Sequence, residues 1–264
     1  MKIGIRRGSM GNPEMDQLFA QVAEIGFDGV ELEVAADYEE TMLSSDEGRA
    51  QLKQLSADSG VAIPSLCVGA LWQSSPAATD ESLLERSRFL IEAGIAAAAD
   101  LGAAWMLVPI APSEEEISHE ECTERWIREM KRVAPVAEQA DVILCPENVG
   151  RGCGKSAEEL KTLADGAASS HIKTYYDIGN ATAFENDPVE EIKFLGDLIG
   201  EVHVKDREGD LLGDGIVDIR GSLAALKEIG YDDWLVLETP ATDDPMAAGE
   251  YNLEYLQGVL ADLQ

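Results

Sequence analysis

The chain has 264 residues, 45% of them hydrophobic, which suits a globular protein with a sizeable core rather than a disordered or fibrous one. Its 51 acidic residues against 20 basic ones give a net charge of −31, a field that repels nucleic-acid phosphates and anionic membranes. The acids are spread along the chain rather than gathered in one tail, so the whole surface is expected to be acidic, as in proteins from salt-rich cytoplasm.

No apolar run approaches the roughly 20 residues that a membrane span needs. The opening "MKIGIRRGSM" reads as a strand rather than an export signal, and a cytoplasmic location is expected. Cys67, Cys122, Cys145 and Cys153 form no CxxC pair and are too sparse for a disulfide scaffold, so reduced thiols are the default.

In chain order, the first β-type run is "KIGIR" (2–6). A helix follows it: Asn12 is the predicted cap, Pro13 fits the first turn, Met15, Leu18, Phe19, Val22 and Ile25 share a face, and Gly26 stops it. "GVELEV", "VAIPSLCV", "AAWMLVP" and "DVILCPE" are the next four runs, each trailed by a segment of helical spacing. "IKTYYDI" comes sixth, and after it Asp187 and Pro188 open a helix with Ile192, Leu195 and Ile199 predicted on its inner stripe. "EVHVKD" and "WLVLET" complete the set. The chain also repeats itself, because "EIGFDGVELE" (24–33) and "EIGYDDWLVLE" (228–238) both run from helix end through Gly, an aromatic and Asp into a strand and Glu.

Eight strand–helix units without a linker or low-complexity break predict a single (β/α)8 barrel domain spanning 1–264. An open doubly wound sheet is the alternative, since strand order is invisible at this level. In a barrel the active site gathers at the C-terminal ends of the strands. Those ends carry Glu147, Asp177, His203 and Glu238 on four consecutive strands. Taken singly, the glutamates could be solvated loop residues, Asp177 a turn or cap residue, and His203 a core histidine. Together, three carboxylates would repel one another unless protonated or holding a cation, and three oxygens with one imidazole nitrogen suit one divalent ion: Mn²⁺, Mg²⁺ or Co²⁺, with Zn²⁺ a further candidate.

The segments "PEN", "YYDIGN", "EVHVKD", "GDGIVDI" and "ALKEIGYDDWLVLETP" resemble the sugar phosphate isomerase/epimerase superfamily with its xylose isomerase-like TIM barrel, and are similar to ketose 3-epimerases. The resemblance implies that Glu147, Asp177, His203 and Glu238 hold the metal and that Glu147 and Glu238 are also the acid/base groups. It implies chemistry through an enediolate, with proton removal on one face and return on the other. An inosose dehydratase or hydroxypyruvate isomerase on the same metal site is the nearest alternative; a non-catalytic sugar-binding barrel is the other.

The chain departs from those epimerases where it has Asn180 three residues after Asp177, and Lys205 and Arg207 after His203. These three are candidate substrate contacts, as are Glu33 after the second strand and Trp72 after the third, while Arg6 and Pro109 sit at rim positions. "NVGRGCGKS" ends like a phosphate loop, but Val149 stands where that motif needs glycine, so a nucleotide site is not expected; Arg151 and Lys155 are left as candidates for a substrate phosphate. With only His119, His171 and His203 and this acidity, a DNA-repair barrel fits poorly. The expected partner is a small sugar or sugar phosphate, with no nucleic acid and no membrane, in a chain that could form a homo-oligomer.

Overall fold

The computed structural model describes residues 1–110 and 117–263. Eight strands are present among the described residues: β1 (Lys2–Arg6), β2 (Gly29–Glu33), β3 (Ser65–Cys67), β4 (Trp105–Leu107), β5 (Ile143–Cys145), β6 (Thr174–Asp177), β7 (Ile199–Val204) and β8 (Trp234–Leu237). Among the described residues the α-helices are α1 (Met15–Ile25), α2 (Asp46–Ser59), α3 (Glu81–Leu101), α4 (His119–Ala140), α5 (Ala157–Ala167), α6 (Ile178–Ala183), α7 (Pro188–Leu195), α8 (Ile219–Glu228) and α9 (Pro245–Asp262). The predicted runs contain every strand except β7, which starts two residues ahead of its run "EVHVKD", and no described helix is long and apolar enough to cross a membrane.

Two local expectations are corrected. Asn12 does not cap α1: it takes the left-handed conformation (φ 56°), and the helix starts at Met15 behind Glu14 without a side-chain cap. Pro13 disfavours helical backbone at the residue before it, asparagine tolerates positive φ, and the Arg7 guanidinium holds the bend by donating to the Pro13 carbonyl at 3.0 Å. Ile199 is likewise not on the inner stripe of α7 but begins β7; the helix ends at Leu195, with Gly196 following it. The start of α7 is as predicted, with Asp187 accepting from the Val189 and Glu190 amides and Pro188 at the first position.

The strand order is β5-β4-β3-β2-β1-β8-β7-β6, and the strand pairings with a defined register are parallel. Parallel bridges at Leu144↔Ile172 and Glu147↔Tyr175 tie the β5 end of that order to the β6 end. Strands buried on both faces read as continuous apolar runs, which is why "WLVL" carries so little alternation.

By its internal contacts the chain forms two compact units. The first comprises Met1–Glu31, Gln54–Pro64 and the chain from Tyr176 onward. Its core includes Ile5, Leu18, Phe19, Val202, Val236 and Leu237, all nearly or fully buried. Gly29 is a glycine for a steric reason: a Cβ there would lie 2.8 Å from the Trp234 ring, which packs against the start of β2. The second unit comprises Leu32–Lys53 and Ser65–Tyr175, with Leu66, Met106, Trp126, Met130 and Leu144 at its centre.

A buried ion network joins α3 to α4 in the second unit. Glu129, 3% exposed, accepts from Arg88 at 2.8 and 3.0 Å and from Arg132 at 3.2 Å. Burial would raise its carboxyl pKa, but the Arg88 hydrogen bond and charge hold it below the ordinary range. Removing one partner of a buried pair costs about 3–5 kcal/mol, and the partial exposure of these arginines reduces that. Glu129→Ala is therefore expected to lower stability by about 1–3 kcal/mol, read as a thermal midpoint several degrees lower. Because the folded pKa is depressed, this stabilisation is present above the ordinary carboxylate range and is lost as pH falls through and below it. A midpoint unchanged at neutral pH would contradict the assignment.

Salt gives a second thermal expectation. With a net charge of −31, added KCl screens self-repulsion and is expected to raise the thermal midpoint into the molar range. A midpoint falling steadily from low salt upward would exclude a salt-adapted surface.

Candidate metal centre

The ends of β7, β8, β1 and β2 bring charged residues together by register. In β8, Val236 and Leu237 pair with Gly4 and Ile5 of β1 on one side, and with His203 and Val204 of β7 on the other. Continued by one residue, the same registers set Glu238 beside both Arg6 and Lys205. The contacts agree: the Arg6 guanidinium donates to Glu238 Oε1, and the Lys205 ammonium lies 2.6 Å from Glu238 Oε2. Arg6 is in turn the Cα partner of Glu31 in β2, with its Nε 3.8 Å from Glu31 Oε1.

His203 is fully buried on β7 and lies between two carboxylates, with Nε2 3.1 Å from Glu31 Oε1 and Nδ1 3.6 Å from Glu238 Oε2. Asp177, also fully buried, ends β6 and caps α6, its Oδ1 accepting from the Asn180 amide at 2.8 Å. Its Oδ2 is 2.6 Å from the Lys205 ammonium, which thus bridges Asp177 and Glu238. Gly179 allows this approach, since a Cβ there would come within 2.5 Å of the Lys205 side chain and 2.9 Å of its carbonyl oxygen.

Burial dominates at Asp177 and pushes its carboxyl above the ordinary range, against the pull of Lys205. Burial acts in the same direction on Glu238, but there the charges of His203, Lys205 and Arg6 together win and hold the carboxyl far below that range. Neighbouring acids of opposite tendency share one ammonium.

Glu147, Asp177, His203 and Glu238 form a group able to hold a metal ion, the first three buried and Glu238 part-exposed. Within it Asp177, His203 and Glu238 offer ligand atoms within 4.8 Å of one another. Glu147 follows β5 and is bridged to Tyr175 of β6. The donor set fits a divalent cation, because three carboxylates crowded around one imidazole need positive charge among them, and here a lysine ammonium supplies part of it.

The remaining sequence candidates are more scattered. Asn180 lies in the first turn of α6, half-buried. Arg207 is exposed at the start of the loop after β7; its amide and those of Gly213, Gly215 and Val217 all donate to the buried Asp206 carboxylate, which fixes the 207–217 loop. Glu33, in the second unit, lies over Gly69, where a Cβ would meet its carboxylate. Trp72 is 41% exposed at the end of a short helical turn beginning at Gly69. Arg151 and Lys155 are exposed, and "GKS" leads into α5 through a capping box between Ser156 and Glu159. Sequence reasoning missed Glu31, although the period of two along "GVELE" puts it on the same face as Glu33.

Comparison with known proteins gives consistent findings. The sequence model of the xylose isomerase-like TIM barrel family matches residues 19–259. An L-ribulose-5-phosphate 3-epimerase, UlaE, of Salmonella heidelberg is 27% identical over 218 residues, covering 79% of this chain and 76% of its own. The solved structure of an L-ribulose 3-epimerase superposes with a TM-score of 0.88 at 20% identity, covering 99% of this chain and 95% of that one. A D-psicose 3-epimerase from Clostridium cellulolyticum H10, solved with D-tagatose, gives 0.86 at 18% identity, over 98% and 99% of the two chains. At these identities the structural likeness speaks for the fold, a (β/α)8 barrel.

Proposed function

The chain belongs to the xylose isomerase-like TIM barrel family, and on that premise we propose that it is a divalent-metal-dependent epimerase of a small ketose or ketose phosphate, built as one barrel domain. The observation that carries the proposal is the group of Glu147, Asp177, His203 and Glu238, whose composition suits Mn²⁺, Mg²⁺ or Co²⁺. The 3-epimerase names of the relatives support the reaction type and the sugar substrate.

In this reading Glu147, Asp177, His203 and Glu238 hold the ion. When bound, it supplies positive charge to the substrate oxygens as a proton leaves the neighbouring carbon. One of Glu147 and Glu238 takes that proton as a carboxylate, and the other, as a carboxylic acid, delivers its own proton to the opposite face of the resulting enediolate, which inverts the carbon. The positive charges of His203, Lys205 and Arg6 keep Glu238 ionised, the form a base must start from. Lys205 then shares its ammonium with a substrate oxygen, and Asn180 binds a substrate hydroxyl. Arg207, Glu33 and Trp72 line the sugar, and Arg151 or Lys155 meets a phosphate where the substrate carries one.

The test is a product assay: metal-loaded protein is incubated with L-ribulose 5-phosphate and with free ketoses, and the mixtures are read by NMR. The C3 epimer is expected from at least one of them. An aldose or a dehydrated product in its place would overturn epimerisation in favour of isomerase or dehydratase chemistry.

A further inference from the structure

Glu31 is fully buried near the middle of β2, a position where an ionised carboxylate is costly unless it is paired. Two of its neighbours are cationic or can be: Arg6, its Cα partner in β1, with Nε at 3.8 Å, and His203, with Nε2 at 3.1 Å. With the Glu31 carboxylate as acceptor, the hydrogen bond to His203 places the proton on Nε2. The other ring nitrogen faces Glu238 at 3.6 Å, too long for a hydrogen bond. Nδ1 is thus the nitrogen turned toward the acidic group, and the ring has little freedom to present the other.

We infer that Glu31 is the positioning residue of this site: it keeps Nε2 of His203 protonated and the ring oriented, so that Nδ1 is the nitrogen offered to a cation held with Asp177 and Glu238. The inference rests on the metal reading above for its purpose, though the orientation of His203 stands on its own contacts. Carboxylate partners of this kind fix the tautomer and raise the basicity of a ligating histidine, and their removal typically weakens metal binding 10–100-fold. Arg6 completes the chain of contacts. Its Nε lies 3.8 Å from Glu31 Oε1, and its guanidinium donates to Glu238 as well.

The test has two arms. In the first, ¹⁵N NMR of histidine-labelled, metal-free protein reads which ring nitrogen of His203 carries the proton; the chain has only three histidines, and His203→Gln identifies the signal. Nε2 is expected to be protonated, with a slowly exchanging proton, whether the ring is neutral or charged. A bare Nε2 overturns the inference. In the second arm Co²⁺ is titrated calorimetrically into wild type, Glu31→Gln and Glu31→Leu, with melting curves as a folding control. Glu31→Gln keeps an acceptor oxygen and is expected to stay within a few-fold of wild type, while Glu31→Leu, folded, loses about 10–100-fold in affinity. Affinity in Glu31→Leu equal to wild type overturns the inference. If wild type takes up no Co²⁺, the metal reading fails and the NMR arm alone decides the role of Glu31. The same arm decides it if Glu31→Leu does not fold.

Discussion

Glu147→Gln and Glu238→Gln are each expected to lower turnover by about 10²–10⁴-fold while the metal stays bound. Glutamine keeps a carbonyl oxygen for the ion at nearly the same shape but cannot take a proton, so the substitution separates holding the metal from moving hydrogen. The two variants are expected to fail in opposite directions. With Glu238→Gln, only the face served by Glu147 still exchanges its hydrogen, so one epimer incorporates solvent deuterium and the other does not; with Glu147→Gln the pattern reverses. Glu238→Gln has an added consequence, since Arg6 and Lys205 both contact that carboxylate and lose a counter-charge, so its KM is expected to change more than that of Glu147→Gln. Near-native epimerisation in both, or loss in only one, would contradict a two-base mechanism and favour a one-base isomerase or a dehydratase.

Replacing His203 and Asp177 together by alanine is expected to abolish metal binding, with the metal-to-protein ratio falling from about one to near zero and activity lost with it. The two residues supply the only imidazole of the group and its one fully buried carboxylate, and the remaining glutamates leave two oxygen donors without a chelating frame. Asp177 has a second role to be separated from the first, as it caps α6 through the Asn180 amide, and loss of such a cap costs about 1 kcal/mol. Asp177→Asn with His203→Ala retains an acceptor for the cap and controls for this. Stoichiometric metal surviving in the double alanine variant would place the ion elsewhere in the protein.

What the sequence made legible follows from physics that acts locally. Buried parallel strands appear as short β-branched and apolar runs, and all eight did so. Asp187 with Pro188 is a local capping signal and was readable for the same reason. Strand ends then located Asp177, His203 and Glu238 without knowledge of any contact. Cross-strand register was not legible. The sequence has nothing to say that Glu31 rather than Glu33 meets His203, because both share a strand face and only the pairing of Arg6 with Glu31 decides their heights. Lys205 reads in the sequence as a candidate substrate contact; the register of β7 against β8 is what brings it to Glu238. Asn12 failed as a cap because its conformation is set by the following proline and the reach of Arg7, two effects that a capping preference does not contain. Nothing in the sequence marks Asp206 out among the many acids; the folding of the 207–217 loop is what brings four backbone amides to it.

The decisive measurement is solvent-deuterium incorporation followed by NMR, with metal-loaded protein incubated in D₂O with L-ribulose 5-phosphate and a panel of free ketoses. Metal-dependent label at C3 of a ketose, appearing together with the C3 epimer, is the expected result, since only abstraction of that proton at the site of Glu147, Asp177, His203 and Glu238 places it there. Label confined to C1, or no label in any sugar while the metal is bound, would contradict the proposed epimerase.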